Sequence, residues 1–335
     1  MPLTPRQMVQ ELLHGTRPSR PLFLPVLFSM GAKLENLSLR EFLGHATKIS
    51  NSLRQIHARV RADGVSCYFD PILEAEALGA TIEWEGDAPR VAWSHATRDP
   101  VSAALKPAEV LVRSGRVPVA IDVIKRLNAL VHDGTLLTAG VTGPLTLASK
   151  IIQRGHTPAE IPAEVLEYAA SLTMAVASAF AEAGANVIFI REELSAPSSL
   201  DKGEMAASPV RSGQGCSQEM FENWMSLLSP TFNVVRFYQA LPVLQLNKHF
   251  LKNTRDLILD QQWECVISTP IDTGDWSELN ALGLGLVFRA NGELDDQALG
   301  AAVSELHPVL ITTADDLPPS MDMKRLTRFL EEVRR

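Results

Sequence analysis

Cysteine is scarce: Cys67, Cys216 and Cys265 are the three in 335 residues, far apart, and none sits in a C-x-x-C pair. An odd, scattered set excludes a disulfide framework and suits a reducing compartment. No run of lysine or arginine occurs and the net charge is -8, so neither nucleic acid nor an anionic lipid surface has a basic face to grip. No apolar run approaches the ~18–20 residues that would span a bilayer. G-x-G-x-x-G after a strand, G-x-S-x-G, H-E-x-x-H and H-x-C are all missing, which removes the dinucleotide fold, the serine-hydrolase elbow and the common zinc sites. Internal repeats and low-complexity tails are missing as well. The expectation is a soluble cytoplasmic protein.

With 46% hydrophobic and 21% charged residues, the chain can bury a large core. At the N-terminus, "LTPRQMVQELLHG" reads as a helix. Thr4 caps it, Pro5 fits the first turn and Gln7 completes a capping box. Leu3 and Met8 are placed as a staple, and Gly15 ends the helix. Eight short β-rich runs follow, at 22–28, 65–69, 135–141, 186–190, 242–247, 264–268, 285–291 and 308–313. Most are continuously apolar, as parallel strands covered on both faces should be.

Helical patterns fill the gaps. Residues 38–63 place Phe42, Ala46, Ile49, Leu53, Ile56 and Val60 on one face; residues 158–184, 217–240, 293–305 and 322–334 complete the set. The pattern predicts an α/β fold, a single (β/α)8 TIM barrel over residues 1–335. Two segments depart from a plain barrel. Residues 81–93 read as a small β excursion after strand 2, and residues 194–216 as a long loop after strand 4, where a lid would lie.

In such barrels chemistry gathers at the C-terminal strand ends. There the sequence places Ser29 and Met30, Asp70, Thr142 and Gly143, and Arg191 with Glu192 and Glu193. The later strands add Asn247, Lys248 and His249, then Thr269 and Asp272, Arg289 and Asn291, and Asp315 and Asp316. Asp70 follows the run Val65–Phe69 directly and precedes Pro71, so it is either the cap of the next helix or a working carboxylate. Glu74 and Glu76, two apart, do not share a helix face. Glu192 and Glu193 are adjacent, so in a strand only one faces a pocket. Cys67 and Cys265 read as small buried hydrophobes. "GVTGPLTLAS" (140–149) breaks from strand to helix at two glycines, which lets backbone approach a ligand.

"GVTGPLTLASK" resembles the third-strand motif of the uroporphyrinogen decarboxylase superfamily. "YFDPILEAEALGATIEW" is similar to its second-strand motif, above all in the branch of corrinoid-linked methyltransferases. "AGANVIFIREE", "VLITTADDLPPSMDMKRLTRFLEEVR" and "LTPRQMVQELLHGTRPSRPLFLP" fit the fourth strand, the eighth strand and the N-terminus, so the resemblance runs along the chain in order. It implies that Asp70 accepts substrate N–H groups and that no cofactor or metal is needed. Glu192 or Glu193, and Lys248 or His249, become candidate acid–base groups. Thr142, Gly143, Lys150, Arg191, Asn247, Lys248 and Arg289 become candidate substrate-binding residues. A homodimer is implied too.

The departures narrow the substrate. The arginine-rich segment after strand 1 reads "FSMGAKLENLS", with Lys33 its one base; Lys150 stands where the family has a tyrosine; the eighth-strand histidine is missing from "TTADDLPP". These point away from uroporphyrinogen III itself and toward a tetrapyrrole-like or smaller carboxylated ligand. One alternative is a corrinoid-dependent methyltransferase working with a corrinoid protein. It would lack zinc, because the H-x-C and cysteine positions read "LQLNKH" and "TTADD". Another is a non-catalytic ligand-binding or partner subunit.

Overall fold

A computed structural model describes residues 3–92, 107–131, 134–152, 161–193, 218–246, 266–270, 284–288, 307–313, 315–321 and 323–333. Helix α1 (Pro5–Leu13) starts at Thr4, whose hydroxyl accepts from Gln7 N while the Gln7 side chain returns to Thr4 N. It ends at Gly15 with φ 74°, as expected. Strand β1 (Leu22–Leu24) is shorter than the predicted 22–28, because the chain turns into α2 (Ser29–Leu34).

The predicted helix 38–63 is two helices, α3 (Leu39–Phe42) and α4 (Ala46–Val60). A capping box between Ser38 and Glu41 starts the first. Gly44 lies in the break between them, and Arg61, left-handed at φ 56°, ends the second. Then come β2 (Gly64–Tyr68), α5 (Leu73–Ala77) and an antiparallel hairpin of β3 (Thr81–Glu85) and β4 (Ala88–Ala92), which is the predicted excursion. Its turn caps α3, where Leu39 N donates to Asp87 Oδ1 at 2.8 Å.

The rest alternates: α6 (Ala108–Leu111), α7 (Val117–Leu130), β5 (Leu136–Thr142), α8 (Pro144–Ile152), α9 (Ala163–Glu182), β6 (Val187–Glu192), α10 (Gln218–Phe237) and β7 (Leu241–Leu246). Strands β8 (Val266–Pro270), β9 (Leu284–Phe288) and β10 (Leu310–Thr313) precede the last helix, α11 (Met323–Val333). The predicted helix 293–305 and the predicted lid 194–216 lie outside the described residues.

Eight strands form one parallel sheet in the order β1-β10-β9-β8-β7-β6-β5-β2. The two end strands meet at Asp63. Its N–H donates to Phe23 O at 3.1 Å, and its Oδ2 accepts from Phe23 N at 2.8 Å. Arg20 forks onto the same carboxylate, both contacts at 2.8 Å. The Asp63→Ala variant removes the carboxylate that accepts from Phe23 N and from both terminal nitrogens of Arg20, so it should lose about 2–4 kcal/mol in urea unfolding. A loss under about 0.5 kcal/mol would show the junction idle.

The sheet has two apolar faces. Leu22, Leu24, Leu136, Val187, Phe189, Leu241, Val243 and Leu310 pack together with Met8 and Val9 of α1, which covers their end of the sheet. The alternate residues Leu137, Ala139, Val141, Ile188, Ile190, Leu244 and Leu246 pack against the helices. That two-sided burial is why the strands read as unbroken apolar runs. No described helix is long and apolar enough to cross a membrane.

Candidate functional site

The period of two places the polar residues at the strand ends. On β6, Arg191 continues the face of Val187 and Phe189, whereas Glu192 continues the helix-packed face of Ile188 and Ile190. A register shift between Ser66 and Tyr68 breaks the alternation of β2. Tyr68 therefore turns to the helix side, where its hydroxyl donates to Leu43 O at 2.8 Å. Phe69 falls to the other side, beneath the Arg191 guanidinium, 4.6 Å from the ring centroid.

The result is a cleft open to solvent at these strand ends, its space of about 330 Å³ counted out into the solvent. Its chemistry comes from Asp70, Thr142, Thr146, Lys150, Arg191 and Glu193, with Phe69, Pro71, Gly140 and Val141 as the remaining wall. Arg191 Nη2 contacts Glu193 Oε1 at 3.0 Å and Asp315 Oδ1 at 3.4 Å. Lys150 donates from Nζ to Pro71 O at 2.7 Å. Burial pushes its ammonium below the ordinary lysine range, against the pull of Glu74 and Glu193.

Asp70 combines the two roles open in the sequence. Oδ1 accepts from Ile72 N at 3.1 Å, turning the chain into α5. Oδ2, buried, makes no hydrogen bond among the described residues. Arg116 Nη2 lies 3.0 Å from it, close enough for an ion pair but without hydrogen-bond alignment. Burial raises the carboxyl to about 6, Arg116 and the Ile72 N–H hold it down, and Glu74 and Glu76 push it up.

Several neighbours are held in place instead of facing the cleft. Glu74 is buried and takes Thr142 N at 2.9 Å and Thr142 Oγ1 at 2.8 Å, which ties α5 to the end of β5. Glu192 is fully buried behind the wall. It accepts from Leu145 N, Thr146 N, Thr146 Oγ1 and Trp224 Nε1 at 2.6–3.1 Å, and so caps α8 from outside the helix. Burial raises its carboxyl against those donors. Gly143 has no room for a Cβ because the Glu192 carboxylate fills that space. The Gly-Pro break thus admits a side chain of this protein at that point. Asp316 turns away to the start of α2, accepting from Phe28 N at 2.7 Å and Ser29 N at 2.6 Å, and burial lifts it to about 7.

Of the predicted site residues, the structure brings Asp70, Thr142, Lys150, Arg191 and Glu193 into one cleft and places Gly143 and Glu192 behind it. Asn247, Lys248, His249 and Arg289 lie outside the described residues. Sequence reasoning missed Phe69, Thr146 and Arg116. Phe69 and Thr146 sit inside motifs already singled out. Arg116 is 46 residues from Asp70, and its one local signal is the preceding Gly115, left-handed at φ 54°, where a Cβ would come within 3.2 Å of the Ala77 backbone. No cluster among the described residues could hold a metal ion.

The family model described as uroporphyrinogen decarboxylase matches residues 4–207. No curated protein sequence matches the chain. Among solved structures, a methyltransferase from Methanosarcina mazei is 17% identical, with 99% of this chain and 98% of that one covered and a TM-score of 0.76. A 3-keto-D-glucoside 4-epimerase from E. coli is 12% identical over 64% of this chain and 85% of its own, TM-score 0.40. A D-allulose 3-epimerase from Methylomonas sp. is 11% identical over 94% and 90%, TM-score 0.39. The methyltransferase shares the fold along its whole length; the two epimerases are too distant to bear on the site.

Proposed function

The chain belongs to the uroporphyrinogen decarboxylase family, and from that premise we propose that it is an enzyme acting on a small N–H-bearing carboxylic acid, tetrapyrrole-like or smaller. We propose too that its sheet closes as a (β/α)8 barrel around the cleft. The observation that carries the reading is Asp70, a buried carboxylate with one oxygen free of hydrogen bonds at the wall of a cleft that also presents Lys150 and Arg191.

An ionised Asp70 accepts the ligand N–H, and the two cations face its carboxylates. Protonating a pyrrole carbon leaves positive charge on the ring, which the buried Asp70 carboxylate stabilises. The carbon–carboxylate bond then breaks, its electron pair moves into the protonated ring, carbon dioxide leaves, a second proton adds to the carbon that lost it, and the first proton departs from the ring carbon. Glu193 is the acid of the adjacent pair that lines the cleft, so it and Lys150 are the proton-transfer candidates, together with Lys248 or His249, which follow β7 in the chain. Glu192 reaches the cleft residue Thr146 at its amide and its hydroxyl. Asn247, Arg289 and Thr142 complete the proposed binding set, and no metal or cofactor enters the scheme.

The test is incubation with pyrrole carboxylates graded from monopyrrole to porphyrinogen, followed by mass spectrometry. Loss of carbon dioxide from one of them supports the reading; no binding and no product across the series overturns it.

The whole-length likeness to a methyltransferase favours a second reading, in which a methyl-corrinoid is the substrate, presented by a corrinoid protein. Under it, methylcobalamin titrated with this protein and a thiol acceptor should change its visible spectrum as cobalt loses the methyl group. An unchanged spectrum at saturating protein removes this reading.

A further inference from the structure

We infer that Arg116 is a positioning residue for Asp70: its guanidinium, held from behind by Glu76, keeps that carboxylate ionised and fixed at the cleft wall. The reading of Asp70 as ligand anchor gives this role its purpose, but the geometry stands without a ligand. Arg116 is not part of the cleft wall; it sits at the N-cap of α7. Its Nε donates to Glu76 Oε2 at 2.6 Å, and Nη2 reaches Asp70 Oδ2 at 3.0 Å. One planar fork therefore spans two carboxylates, which a lysine ammonium cannot do. Because the contact to Oδ2 is not aligned as a hydrogen bond, the attraction is Coulombic and the oxygen keeps its lone pair for another donor.

The charges around Asp70 make the arginine necessary. Glu74 and Glu76 of α5 oppose its ionisation, and Tyr68 of β2 lies beside it. Lys150 of α8 favours ionisation, but its ammonium is committed to Pro71 O. Arg191 of β6 pairs at 3.0 Å with Glu193, which follows the strand, in the same cleft. Arg116 is the cation within ion-pair distance among the described residues. Remove it, and a desolvated carboxylate between two glutamates takes up a proton near neutral pH. In that state it no longer offers the charge that stabilises a cationic ring.

The experiment is an infrared titration of the carboxyl band, each protein measured against its own Asp70→Asn partner so that Asp70 alone remains in the difference. In the otherwise native protein the midpoint is expected near 6. In Arg116→Gln it should rise by about one pH unit or more. Arg116→Lys keeps the charge but not the fork, so its midpoint should lie between the two, and it serves if the glutamine variant does not fold. A native midpoint in folded Arg116→Gln, or in Arg116→Lys where the glutamine variant is unfolded, overturns the inference. The ligand reading fails separately, in the pyrrole series: a shifted midpoint with no ligand bound keeps Arg116 and removes the anchor role.

Discussion

Asp70→Asn should abolish turnover and at the same time make the protein harder to unfold above pH 6. The loss of activity follows from charge: asparagine keeps the shape and can still accept from Ile72 N, but it cannot hold a cationic intermediate. Removing a preorganised electrostatic contact of this kind costs about 10²–10³-fold in turnover. The gain in stability follows from linkage. The Asp70 carboxyl is raised to about 6 in the folded protein, above its ordinary unfolded value of about 3.9. Its contribution to stability is therefore fully present below about pH 4 and is lost as pH rises to about 6. Over that span the loss comes to about 2–3 kcal/mol. Asparagine, like the protonated acid, carries no such loss. Urea unfolding of both proteins from pH 4 to pH 8 reads the effect as a gap that opens up to pH 6 and then stays constant. Asp316 also titrates near 7, but it is common to both proteins and cancels. A gap that does not change with pH would show that Asp70 is not the strained group, and undiminished turnover in the variant would remove it from the mechanism.

The second large effect belongs to Glu192. Alanine there removes the carboxylate that accepts from Leu145 N, Thr146 N and Trp224 Nε1 and from Thr146 Oγ1, whose remaining acceptor is Glu193 O at 3.4 Å. Each buried orphan costs about 1–3 kcal/mol, and water entering the vacated volume recovers part of it, so the net loss should be about 4–5 kcal/mol. Glutamine retains one acceptor oxygen and points an NH2 at the remaining donors, so Glu192→Gln should fall between alanine and the native protein. Thermal and urea unfolding check the order. An alanine variant with the native midpoint would mean that the four donors find other partners. Burial raises the Glu192 carboxyl as it raises that of Asp70, so the pH dependence has the same sign in both variants; the opposite signs of the stability change separate a scaffold carboxylate from a working one.

Which parts of this were legible in the chain follows from how local each signal is. The capping box at Thr4–Gln7, the small β excursion read at 81–93 and the apolar strands depend on neighbours a few residues apart. The sequence by itself determined them, along with the parallel α/β sheet, because strands buried on both faces need apolar residues at every position. The resemblance in "GVTGPLTLASK" and "YFDPILEAEALGATIEW" was likewise readable, and the family match agrees with it.

The assignment of roles to adjacent acids was not readable. Alternation says that Glu192 and Glu193 face opposite ways, but not which way, since that depends on which strand face α1 covers and which the helices take. Gly143 illustrates the same limit: the missing Cβ was visible, but the Glu192 carboxylate that fills its place comes from another strand. So does Asp70. Its position after β2 was plain from the chain, and so were both of its possible roles. Only the tertiary structure decided that one oxygen turns the backbone while the other meets Arg116 across 46 residues. Helix and strand periods are short-range; the field at a buried carboxylate is a sum over whatever the fold brings near it.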